Sequence, residues 1–207
     1  MEAIKTPFMD WSVAALPLAG QERSGDAYAV KAWDKKIMIA VVDGLGHGEQ
    51  AANAALIAVD TLIKYAPEMD NVIPLVRQCH EALLRSRGVV LSIALFDTEN
   101  NTMTWMGIGN VDGFLFHADP QANPDRVSIV LRGGVVGYQL PSLRSSTIHV
   151  TRGDLLIFFT DGIRSGFEKD VNPGDPPQRI ADMIIMNYIR KTDDALVLVA
   201  RYIGGLL

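Results

Sequence analysis

Apolar positions change their spacing several times along the chain, and each change marks a different element. Val13–Leu18, Tyr28–Trp33 and Ile37–Val42 are short apolar runs separated by Gly, Asp and Lys, which predicts strands, with Asp34-Lys35-Lys36 as a hairpin turn. After Gly48 the spacing becomes helical. Ala51, Ala52, Ala55, Leu56, Val59, Leu62 and Ile63 predict a helix that stops near Tyr65-Ala66-Pro67. Asn71 is placed to cap a second helix, whose apolar stripe is Leu75, Val76, Cys79, Leu83 and Leu84. Beyond Gly88 strands return: Val89–Phe96 and Thr102–Gly107 flank a polar loop and predict an antiparallel hairpin. Phe114–Phe116 and Val127–Leu131 are expected to extend that meander. Thr147–Val150 and Leu155–Phe159 are expected to pair with each other around Arg152-Gly153. A segment rich in Pro and Gly, Asn172 to Pro177, leads into a helix over Gln178–Arg190, and Ala195–Tyr202 is the last strand. Antiparallel runs interrupted by a few helices indicate an α+β domain, two sheets face to face with helices outside.

The composition supports a packed core and narrows the setting. Of 207 residues, 48% are apolar and 21% charged, so the chain is long enough for one domain, 1–207, and too apolar to be disordered. A net charge of −5 disfavours nucleic acid as a partner, because phosphates call for an excess of Lys and Arg. Cys79 is the only cysteine, so an internal disulfide and a cysteine metal cluster are excluded. The first residues, Met1-Glu2-Ala3-Ile4-Lys5, lack the apolar centre of a signal peptide, and no apolar run approaches the roughly 20 residues of a membrane span. A cytoplasmic protein with no membrane partner is expected. His80, His117 and His149 are scattered and read as structural. Trp11, Trp33 and Trp105 read as core, and Met183 and Met186 fit the stripe of the last helix.

The chemistry gathers in four acidic motifs: Ser24-Gly25-Asp26, Asp43-Gly44-Leu45-Gly46-His47-Gly48, Thr160-Asp161-Gly162 and Asp193-Asp194. Each adjoins a run of β-branched or large apolar residues, so each carboxylate stands at a strand end. Any one Asp-Gly pair alone is more often a turn than a ligand. Several carboxylates gathered from distant strand ends are how a fold assembles hard oxygen ligands for Mg²⁺ or Mn²⁺. Two such ions bridged by one aspartate can activate a water for attack on phosphorus. A Gly-x-Ser-x-Gly elbow and a phosphate-binding loop with its lysine are both missing, which disfavours serine-hydrolase and nucleotide-driven chemistry.

In order and spacing these motifs resemble the metal-dependent protein serine/threonine phosphatases of the type 2C class, within them the bacterial branch typified by the sporulation phosphatase SpoIIE. The resemblance runs from Ser24 to Val199. It implies a layered α-β-β-α sandwich of two antiparallel sheets, and a phosphatase acting on phosphoserine or phosphothreonine with two Mn²⁺ or Mg²⁺ ions. The small size resembles stand-alone stressosome phosphatases, which implies phosphorylated STAS-domain proteins as partners. Asp43 would bridge the metals and Gly44 would offer its carbonyl. Asp26 would support the first ion. Asp161 and Asp193 would hold the second, with Asp194 the alternative to Asp193. Asp43 and Asp161 are the implied catalytic pair. The family's phosphate-gripping arginine falls at Gln21, leaving Arg23 and His47 as candidate substrate-binding groups. His47 reads as a supporting or surface group, since the position that carries histidine in eukaryotic members is Leu45. Asn110 stands where other members use an aspartate for a third ion. The changes at Gln21 and Leu45 leave open an alternative: a catalytically silent module docking to a signalling complex.

Overall fold

From Ile37 to Val42 every side chain of the strand β3 (Lys36–Gly44) is buried. Ile37, Ile39 and Val41 face one apolar cluster, Met38, Ala40 and Val42 another. A strand covered on both faces has no polar side, which explains its unbroken apolar run. The computed structural model describes residues 8–204, and elements are numbered along the chain. β3 lies in a sheet ordered β2 (Asp26–Trp33), β3, β4 (Val89–Asp97), β5 (Thr102–Ile108), β8 (Leu131–Arg132), with β9 (Ser146–His149) also paired to β5. The second sheet runs β1 (Met9–Leu16), β11 (Ala195–Tyr202), β10 (Leu155–Phe159), β6 (Asp112–Phe116), β7 (Arg126–Ser128).

Three clusters make the layers. Between the sheets lie Trp11, Phe96, Trp105, Phe158, Leu198 and their neighbours. Helices α1 (Glu49–Tyr65) and α2 (Val72–Leu83) cover the first sheet through Ala55, Leu62, Leu75 and Cys79. Helix α3 (Pro177–Tyr188) covers the second through Ile180 and Ile184. The result is the expected α-β-β-α sandwich. Asn71 caps α2 as expected, its Oδ1 accepting from Ile73 N at 3.0 Å.

Several pairings differ from the sequence expectation. The first strand begins at Met9 and stops at Leu16, four residues before and two short of the apolar run, because pairing with β11 along its whole length carries Asp10 and Ser12 into the ladder. The meander does not continue past β5: β6 crosses to the second sheet and pairs with β10. The crossing turns at Gly109, at φ +88°, where a Cβ would strike Val90. Val127–Leu131 is split, Arg126–Ser128 joining β6 and Leu131–Arg132 joining β5, the latter in parallel. β9 and β10 are not a hairpin, since β9 pairs with β5 and β10 lies between β6 and β11. The intervening turn is a corner between sheets. Buried Asp154 holds it by accepting from Thr151 N (2.9 Å) and Ala118 N (2.7 Å). Helix α3 ends at Tyr188 rather than Arg190, because Ile189 bridges to Ile163 and Arg190 N donates to Gly162 O. Met186, Leu56, Ile63 and Leu84 point outward rather than into the apolar stripes. On α1 the alanines take the buried face instead, allowing the helix close to β2 and β3. Of the tryptophans, Trp11 and Trp105 are buried and Trp33 is partly covered.

Candidate active site

Asp26 opens β2 and Asp43 nearly closes β3, and the antiparallel register sets them directly opposite each other. Opposed residues share a face. That face is the inter-sheet side, as for Val41 two residues earlier. Asp161 follows β10 and Asp193 precedes β11, in the other sheet. The four motifs therefore meet where the two sheets open at one end.

Thr160 ties the sheets together there. Its buried Oγ1 donates to Asp26 Oδ2 at 2.7 Å and accepts from Leu196 N at 2.9 Å. The aspartate doublet divides its tasks. Asp194, only 3% exposed, accepts from Leu18 N (2.7 Å) and Gly25 N (2.6 Å), one bond on each oxygen. Asp193 faces the cleft and accepts from Asp194 N at 2.9 Å. Asp161 accepts from Asn110 Nδ2 at 2.7 Å. Glycine is required at two of the junctions. A Cβ on Gly44 would lie 2.1 Å from Ala51 O, and one on Gly162 would lie 1.9 Å from Asp194 O.

The cleft holds about 400 Å³, and its walls include Asp43, Leu45, His47, Asn110, Asp161 and Asp193. Its electrostatics are those of crowded carboxylates. Burial, followed by the charges of Asp26, Asp161, Asp193 and Asp194, pushes Asp43 up to about 8. Burial pushes Asp26 up to about 7, helped by Asp194, Asp161 and Asp193 and opposed by the Thr160 hydrogen bond. Asp161 is raised by burial and by Asp193, and pulled back by Arg190 and Asn110.

Among the described residues no three His, Cys, Asp or Glu side chains close around a point as they do around a bound ion. Asp26 and Asp161 are instead turned to Thr160 and Asn110. The donor chemistry nevertheless fits a hard divalent cation. The partly buried Asp43 carboxylate accepts no hydrogen bond among the described residues and faces other carboxylates, an arrangement that a cation would neutralise.

Most residues singled out in the sequence come together here. Asp43, Asp161, Asp193 and His47 line the cleft, Asp26 stands behind it, and Gly44 is fixed by donating to Gly25 O at 3.0 Å. Asp194 is turned away into its two backbone bonds. Arg23 is exposed and is not among the cleft-lining residues. Thr160 belongs to the Thr160-Asp161-Gly162 motif but had no role assigned from the sequence, and neither did Arg190. A buried Thr inside an apolar strand end was the available signal for the first, and Arg190 had none.

Two sheets that bring carboxylates from distant strand ends into one cleft are the frame of the type 2C phosphatases. Residues 34–203 match the family model described as Stage II sporulation protein E (SpoIIE), and the chain belongs to that family, the bacterial branch of the type 2C class. Among individual relatives, it is 28% identical over 178 residues to the phosphoserine phosphatase RsbX of Bacillus subtilis (strain 168), covering 84% of this chain and 85% of that protein. Among solved structures, RsbX in complex with magnesium superposes with a TM-score of 0.84 at 22% identity, over 96% of this chain and 97% of that one. A chain from work on the bacterial stressosome, a modular system adapted to control secondary messenger signalling, also gives 0.84, at 26% identity over 93% and 99%. No helix among the described residues is long and apolar enough to cross a membrane.

Proposed function

We propose that this chain is a Mn²⁺- or Mg²⁺-dependent phosphatase that hydrolyses phosphoserine or phosphothreonine on STAS-domain regulators of the stressosome or partner-switching kind. The observation that carries the reading is the Asp43 carboxylate. It is partly buried, without a hydrogen-bond donor among the described residues, and faced by Asp26, Asp161 and Asp193. Asp43 would bridge two ions, with Gly44 O and Asp26 on the side of the first and Asp161 and Asp193 on the side of the second. When bound, the two ions supply charge neutralisation and the acidity that makes water nucleophilic at neutral pH.

The chain's own residues do the rest. Thr160 fixes the Asp26 rotamer and with it the spacing of the two sheets. Asn110 orients Asp161. Asp194 anchors Leu18 and Gly25, and so the loop that carries Asp26. His47 lines the cleft wall, which supports a role toward the substrate. The likeness to RsbX, a phosphoserine phosphatase, and to a chain from stressosome work supports the substrate class.

The test is release of phosphate from a phosphorylated STAS-domain protein, with and without Mn²⁺. Turnover that depends on Mn²⁺ and stops with EDTA is expected. Activity that survives EDTA, or that Asp43→Asn and Asp161→Asn leave untouched, would falsify the reading. Higher efficiency on small phosphate esters than on the phosphoprotein would overturn the substrate class alone.

A further inference from the structure

The cleft walls carry the carboxylates of Asp43, Asp161 and Asp193 and, among the described residues, no Lys or Arg, so a phosphate dianion entering past them meets repulsion that a cation at the mouth would offset. The chain carries one there, on a side chain. Arg87, between α2 and β4, is exposed and, like Arg23, is not among the cleft-lining residues. A Cβ on the cleft-lining Gly46 would nevertheless stand 2.7 Å from Arg87 Nη1, so the guanidinium rests against the outside of the rim. Its position is held from three sides. Arg87 Nε donates to Gln50 Oε1 at 2.6 Å, in the first turn of α1. Leu45 N donates to Gly88 O at 3.1 Å, joining the segment to the cleft loop. Gly88, at φ +80°, is packed so closely that a Cβ would lie 2.7 Å from Val136 O. Among the described residues Arg87 has no carboxylate partner.

We propose that Arg87 is the substrate-binding residue that receives the phosphoryl oxygens at the cleft mouth, with Gln50 as its positioning residue. The proposal rests on the phosphatase reading above and assigns to that site a cation from a different part of the chain than Gln21 or Arg23. With Nε committed to Gln50, both terminal nitrogens remain as a planar fork, the geometry that meets two oxygens of one phosphate. Arg190 is the competing cation. Its charge acts on Asp161, and its Nε donates to Ile163 O at 3.4 Å.

The probe is inorganic phosphate titrated calorimetrically into the Mn²⁺-loaded protein, alongside KM and kcat on p-nitrophenyl phosphate. Arg87→Ala is expected to weaken phosphate binding and raise KM by about tenfold or more, the loss of a charge-assisted hydrogen bond, while Mn²⁺ binding and the melting temperature stay unchanged. Arg87→Lys should recover part of the loss, because a point charge replaces the fork. Gln50→Ala should weaken phosphate binding less, and adding it to Arg87→Ala should change nothing further. Wild-type turnover with phosphate binding that is indifferent to Arg87→Ala, or lost in Arg190→Ala instead, would overturn the proposal and leave the phosphatase reading standing. Phosphate binding that depends on Arg87 in a wild-type protein without turnover would do the reverse. Neither turnover nor phosphate binding would overturn both.

Discussion

Asp193 and Asp194 are neighbours in sequence with opposite surroundings, and the difference can be measured. Asp194 is buried on two backbone N–H groups, so Asp194→Ala strands both donors, at about 1–3 kcal/mol each. Its melting temperature should drop with or without Mn²⁺. Asp193 faces the cleft among like charges. Asp193→Asn should weaken Mn²⁺ binding while leaving the metal-free melting temperature level or higher. A variant pair with these effects exchanged would reverse the assignment. Asp43→Asn should cost activity more than about a hundredfold, beyond the 10–100-fold typical of residues that only orient a ligand. Thr160→Val, which removes the bond to Asp26 and keeps the shape, belongs inside that range. Steady-state rates at saturating Mn²⁺ read both.

At the scale of elements, close approach of backbones sets the geometry. Helix α1 runs so near β3 that Gly44 lies against Ala51 O, and the turn after β10 runs so near the start of β11 that Gly162 lies against Asp194 O. Both contacts are with main chain, which cannot rotate aside. Gly44→Ala and Gly162→Ala should therefore each destabilise the fold by about 1–3 kcal/mol or more, the cost of overpacking. They should also lower Mn²⁺ affinity, because the displaced segments carry Asp43 and Asp161. Urea unfolding and Mn²⁺ titration check the two effects. Wild-type stability in either variant would show that the approach is softer than these contacts require.

For the whole molecule, the carboxylate cluster makes stability depend on pH and metal together. Asp43 and Asp26 move from an unfolded value of 3.8 to about 8 and about 7 when folded. A group raised on folding contributes its stability below the unfolded value and loses it as pH rises through the folded one. The metal-free protein should thus lose stability as pH climbs from about 4 to about 8. Mn²⁺ should restore it most at the alkaline end, where the carboxylates are charged. Melting curves in EDTA and in saturating Mn²⁺ across that range test this, at roughly 2–4 °C per kcal/mol for a chain of this size. Asp43→Asn should flatten the EDTA curve. A metal-free protein that grows more stable toward pH 8 would contradict the crowding seen around Asp43.

The sequence alone determined what depends on local spacing. The buried two-faced strand at Ile37–Val42, the Asn71 cap and the placing of each aspartate at a strand end follow from short-range pattern and turn chemistry. Tertiary structure decided what depends on pairing across distance. β6 and β10 left the expected hairpins because a strand buried on either sheet reads the same way, and only packing selects the partner. The roles of Asp193 and Asp194 were equally hidden, since adjacent identical residues differ only in what they face. Thr160 and Arg87 act across long sequence separations, on Asp26 and at the cleft rim. The acidic motifs were legible because carboxylates keep their chemistry wherever they stand. Their convergence was not, because closing two sheets over one core is a property of the folded chain.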